Sequence, residues 1–139
     1  MSTSASKWKT GAIVLLVLSA LLGLAIAGTD SNLWTYEPTH AYGLIAFVIV
    51  DLVAIGLLMM RGGKNIYRLV ALWGILQALV MLSDIATGPS SFGMTQQNFA
   101  IYLLGLGFYD SHHIAFLFPA LLAVNIVLAI WAFLGSRKI

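Results

Sequence analysis

The chain contains four long apolar stretches separated by short polar segments. They cover roughly residues 11–27, 40–60, 66–86 and 113–134, and each approaches the ~20 residues that a helix needs to cross ~30 Å of hydrocarbon. The pattern predicts an all-α integral membrane protein in which residues 1–139 form one domain, a bundle of four transmembrane helices. These predicted helices are numbered here as spans one to four along the chain.

The first apolar stretch has a second interpretation. It follows a polar, basic start and ends in Ala25-Ile26-Ala27, a small-residue pattern of the kind found at signal-peptide cleavage sites. We expect a retained first span, with a cleaved signal peptide as the alternative.

Two predicted connections lie on the side of the membrane opposite the chain termini. Residues 29–39 carry Trp34 and Tyr36, whose rings suit the membrane interface. Residues 88–111 form the longest connection, and their central part, residues 99–108, is apolar but too short to cross a bilayer. Exposure of apolar surface to water is unfavourable by about 25 cal/mol of free energy per Å². We therefore expect this part to be an interfacial or re-entrant segment, or to pack on another subunit.

The basic residues are confined to three short stretches, which precede span one, separate spans two and three, and follow span four. Because basic residues concentrate on the cytoplasmic side of membrane proteins, both termini are expected in the cytoplasm and the chain in the plasma membrane. The same charges explain the net charge of +2, so no nucleic-acid partner is predicted. The basic residues are Lys7, Lys9, Arg61, Lys64, Arg68, Arg137 and Lys138.

The composition excludes several classes of protein. With 60% hydrophobic and 9% charged residues, the chain cannot present a water-exposed surface of ordinary polarity. The absence of cysteine excludes disulfides, thiolate metal sites and cysteine nucleophiles. The sequence also lacks an HExxH zinc helix, a phosphate-binding loop and a nucleophilic serine motif, so we do not expect an enzyme that acts alone.

Each span carries one polar residue near the middle of the membrane. At 1.5 Å per residue, Asp51 lies roughly 16 Å from the outer end of its span, and the polar residues of the other spans lie at roughly 12 to 18 Å. A carboxylate at this depth is costly, so Asp51 is expected to point into the bundle and to be protonated or hydrogen-bonded. The predicted intramembrane polar layer consists of Ser19, Asp51, Gln77 and Asn125.

Two interpretations of this layer remain open. The four side chains could simply join the helices through hydrogen bonds worth roughly 0.6 to 2 kcal/mol each. Alternatively, Asp51 could have a role linked to a proton, an ion or a quinone. At 100° per residue, His40 shares a helix face with Asp51, and Gln77 shares one with Asp84, so spans two and three each carry a polar stripe toward the outer surface.

Histidines and carboxylates gather at the predicted outer surface. They suit a Cu, Zn or Fe ion, and His40 with either histidine of the fourth span could alternatively be the axial ligands of a haem b. The remaining interpretation is that these are structural histidines at the membrane interface. The candidate ligands are His40, Asp84, Asp110, His112 and His113.

Three functions follow as hypotheses from these features. The first is an accessory subunit of a larger energy-transducing or oxidative membrane complex, such as a terminal oxidase, a quinone-linked dehydrogenase or a membrane monooxygenase, with other membrane subunits as partners. The second is an electron-transfer subunit that binds haem b or a metal through His40 with His112 or His113. The third is a small proton- or ion-linked carrier centred on Asp51.

Overall fold

The structure, a computed structural model, describes residues 3–36, 38–87 and 116–139. These residues form a short helix and four long ones, all four apolar enough to span a membrane, so the predicted all-α class and the four candidate spans are confirmed. The predicted interfacial segment at residues 99–108 lies outside the described residues. The helices are α1 (Thr3–Thr29), α2 (Ser31–Tyr36), α3 (Pro38–Met60), α4 (Lys64–Thr87) and α5 (Leu117–Lys138).

The helices extend beyond the apolar stretches from which the spans were predicted. Helix α1 begins at Thr3, well before residue 11, because a helix can continue past the hydrocarbon where hydropathy no longer marks it. The connection at residues 29–39 also contains α2, which was not predicted. The Asp30 carboxylate accepts a hydrogen bond from the Leu33 N–H at 3.3 Å, as a helix N-cap does.

The order of the helices around the bundle differs from their order along the chain. Helix α5 packs extensively on both α1 and α4, and α1 packs on α3. Helices α3 and α4 are joined by only residues 61–63, yet their backbones make the fewest close approaches of the spanning pairs that touch. The interface between them is therefore bridged by long side chains.

Helices α4 and α5 approach closely at Gly74. A Cβ atom at this position would lie 2.9 Å from the Asn125 carbonyl oxygen and 3.0 Å from the Ala129 nitrogen, so no larger residue fits without a shift of the backbone. This contact places Asn125, in the middle of α5, against the middle of α4.

The chain termini and the connection between α3 and α4 share one end of the bundle. The Trp131 indole N–H donates to the Trp8 carbonyl oxygen at 2.9 Å, and the Lys9 ammonium donates to the Met59 carbonyl oxygen at 3.4 Å. All three basic stretches therefore lie at this end. His40 and Asp84 lie together at the other end, 3.3 Å apart.

Candidate intramembrane polar site

The carboxyl group of Asp51 is held by two N–H donors from α4. Asp51 is 1% exposed, and its Oδ1 atom accepts hydrogen bonds from Trp73 Nε1 at 2.7 Å and from Gln77 Nε2 at 3.0 Å. Trp73 and Gln77 are four positions apart and so lie on one face of α4, which is why both reach the same oxygen. The carboxyl group consequently joins α3 to α4, whose backbones approach each other at few positions.

Ser19 and Asn125 connect this group to the other two spanning helices. The Asn125 side-chain amide donates to Ser19 Oγ at 3.2 Å and to the Leu121 carbonyl oxygen at 3.0 Å. The Ser19 hydroxyl in turn approaches the Asp51 carboxyl group. The structure thus brings the four residues of the predicted layer into one cluster with Trp73, and every spanning helix contributes to it.

Three oxygen atoms of this cluster have no hydrogen-bond partner. They are Asp51 Oδ2, Gln77 Oε1 and Asn125 Oδ1, and each is buried. The two amide orientations are determined by their donors, since Gln77 Nε2 must face the Asp51 carboxyl group and Asn125 Nδ2 must face the Leu121 carbonyl. The two amide oxygens are therefore acceptors, as is Asp51 Oδ2 when the carboxyl group is ionised, and buried acceptors without donors are costly.

Apolar side chains pack around the cluster. Toward the basic end lies a dense apolar core that includes Leu16, Leu58 and Leu128, each of them 0% exposed. On the α3–α4 side the Trp73 ring packs edge-on against Phe47, with ring centroids 5.4 Å apart. Water is therefore excluded toward the basic end by aliphatic packing and beside α3 by an aromatic pair.

His40 and Asp84 lie at the outer ends of the two predicted polar stripes. Their side chains are 33% and 25% exposed, and His40 Nε2 is 3.3 Å from Asp84 Oδ1. The stripe on α3 consequently faces the stripe on α4, with His40 opposite Asp84 and Asp51 opposite Gln77.

The metal or haem hypothesis remains a prediction. Within residues 3–36, 38–87 and 116–139 no group of three His, Cys, Asp or Glu side chains is arranged to hold a metal ion. Asp110, His112 and His113 lie outside the described residues. Loss of a bound haem or metal in a His40→Ala variant would support the hypothesis.

Sequence reasoning missed Trp73 as a partner of Asp51. A signal was present, because Trp73 lies roughly 14 Å along α4 at 1.5 Å per residue, far from the membrane interfaces where tryptophan concentrates. It also precedes Gln77 by four positions and so shares its helix face. A mid-span indole on a polar face is a candidate hydrogen-bond donor, because its N–H needs a partner in hydrocarbon.

Comparison of the chain with protein-family models, curated proteins and solved structures gave no match.

Proposed function

We propose that this multi-pass membrane protein binds and exchanges a proton or a small cation at Asp51, in the middle of the membrane. The observation that carries the proposal is the set of three buried acceptor oxygens without donors, one of them on the only ionisable side chain of the described cluster. A bundle that used these residues only to join helices would gain most by pairing every acceptor. A proton or a cation would satisfy the oxygens that the protein leaves unpaired.

Infrared difference spectroscopy of the purified protein tests this proposal. The carboxyl band of Asp51 is expected to change when the pH or the alkali-cation concentration is changed, and the band is assigned by its loss in Asp51→Asn. Asp30→Asn is the matched control: it makes the same chemical change outside the cluster and keeps a residue that caps α2 well. A carboxyl band at Asp51 that responds to neither pH nor cations would leave hydrogen bonding between helices as the role of the cluster.

The positions of the basic residues favour one orientation of the protein in the membrane. All three basic stretches lie at the end of the bundle formed by the chain termini, and basic residues favour the cytoplasm. We therefore propose that both termini are cytoplasmic, in the plasma membrane, and that His40 and Asp84 face the opposite side.

A second candidate function is favoured by the lipid-facing surface between α4 and α5. A groove of about 380 Å³ runs between these helices, and side chains such as Ile75, Leu79, Ile126 and Ile130 line it. Side chains from a transmembrane helix of another subunit would fill this volume, since helices associate in membranes through close packing. We propose on this basis that the protein packs against another membrane subunit. The assembly we propose is a larger energy-transducing or oxidative complex, a role compatible with ion exchange at Asp51.

Native gel electrophoresis tests the subunit proposal. The native membrane is extracted in a mild detergent, and the proteins that comigrate with this chain are identified by mass spectrometry. Redox subunits in one large assembly are the expected result. A homo-oligomer of this chain alone would contradict the proposal, and lipid retained as the only companion would assign the groove to an acyl chain.

A further inference from the structure

We infer that the cluster around Asp51 is a binding site for one monovalent alkali cation, and Na⁺ is the probe used to test it. The inference rests on the proposed function and specifies its ligand. Ions of this class take oxygen ligands from carboxylates, amide carbonyls and hydroxyls. The cluster offers each kind, as Asp51 Oδ2, Gln77 Oε1, Asn125 Oδ1 and Ser19 Oγ.

The N–H donors of the cluster that make hydrogen bonds use other acceptors than the three unpaired oxygens. Trp73 and Gln77 both donate to Oδ1 of Asp51, which leaves Oδ2 without a donor. Asn125 uses both N–H groups of its amide, one on Ser19 and one on the Leu121 carbonyl, which leaves its own oxygen without one. The donors thus hold the cluster in place, and the acceptors remain available to a cation.

The number of unpaired oxygens favours a cation over a proton. One proton on Asp51 Oδ2 would turn that atom into a donor and satisfy one amide oxygen, leaving the other unpaired. The inferred site places one cation between these oxygens, where it would satisfy all three.

The charge of the cluster limits the class of cation. Among the described residues Asp51 is its one ionisable member, so a bound monovalent ion leaves the site neutral, as the middle of a membrane requires. A divalent ion would leave a net positive charge there. Transition metals prefer imidazole or sulfur ligands, and the described cluster contains neither.

Thermal unfolding of the purified full chain in detergent provides the test. Melting temperatures are measured in LiCl, NaCl, KCl, MgCl₂, CaCl₂ and choline chloride at constant ionic strength. A ligand that binds only the folded state raises the melting temperature with its concentration. The expected result is a saturable increase with Na⁺ and none with choline. The increase should be absent in Asp51→Asn and unchanged in Asp30→Asn.

A second variant keeps the test decisive if Asp51→Asn folds poorly. Gln77→Met preserves the length of the side chain but removes its amide oxygen, and it is expected to weaken the apparent Na⁺ affinity by about tenfold, the effect of about 1.4 kcal/mol. An equal response to choline, a Na⁺ response that persists in Asp51→Asn, or tighter binding of Mg²⁺ or Ca²⁺ would each overturn the inference. Absence of a cation response, together with an Asp51 infrared band that titrates with pH, would overturn this inference and leave the proposed function standing.

Discussion

Among single residues, Asp51 carries a carboxyl group that accepts hydrogen bonds from two donors, and both donors depend on it for a partner. The N–H groups of Trp73 and Gln77 are aimed at one oxygen atom in the middle of the bundle. In hydrocarbon neither donor can turn to water, so the carboxyl group supports the interface between α3 and α4 as well as any ligand.

Two replacements of Asp51 separate these roles. Asp51→Leu leaves both N–H donors unpaired and is expected to lower the free energy of unfolding by about 2 kcal/mol or more, because an unsatisfied buried donor costs about 1 to 3 kcal/mol. Asp51→Asn keeps an acceptor oxygen and should lose clearly less. Reversible denaturation in mixed micelles measures both values. Equal losses in the two variants would show that the two donors do not depend on the Asp51 oxygen.

At the scale of helices, Gly74 determines how closely α4 and α5 approach. The neighbours of a Cβ atom at this position are backbone atoms of α5, which cannot rotate away as a side chain can. This close approach brings Asn125 toward the polar cluster, so packing between α4 and α5 and the geometry of the site are coupled.

Substitution of alanine for glycine tests this coupling. Gly74→Ala is expected to lower the free energy of unfolding by about 1 to 3 kcal/mol through overpacking, and to weaken any ion response of the Asp51 site. Gly56→Ala in α3 is the control, since a Cβ atom there meets nothing within 4 Å. Denaturation of the two variants in parallel measures the difference, and equal stabilities would contradict the close packing at Gly74.

For the whole molecule, the orientation in the membrane can be tested by labelling single introduced cysteines. The chain contains no cysteine of its own that would react with the label. Gly62→Cys lies between α3 and α4 at the basic end, and Ser31→Cys lies in α2 at the opposite end. Both positions are exposed, and the Gly62 backbone accepts a side chain. A membrane-impermeant maleimide added to intact cells is expected to label Ser31→Cys and not Gly62→Cys. The reverse pattern would invert the proposed orientation.

Hydropathy predicted the number of spanning helices correctly but not the residues at which the helices begin and end. The four spans were predicted because roughly 20 apolar residues in sequence have few alternatives to a transmembrane helix. The start of α1 and the presence of α2 were not, because both depend on polar residues that hydropathy treats as loop. Asp30 could have indicated the start of α2, since Asp is a favoured N-cap residue, although few of the residues that follow it favour a helix.

The order of residues along the chain was enough to predict a helical protein with four candidate spans and a polar residue at a similar depth in each span. These properties depend on composition and on the rise per residue, which are the same in any helix. Three further features appear in the packed bundle alone: Trp73 donates to Asp51, the backbones of α3 and α4 approach each other at few positions, and three buried oxygen atoms of the cluster remain without donors. These features depend on how the helices rotate and pack against one another. Contacts between residues far apart in sequence, such as the close approach of α4 and α5 at Gly74, determine that packing, and no local sequence pattern reveals them.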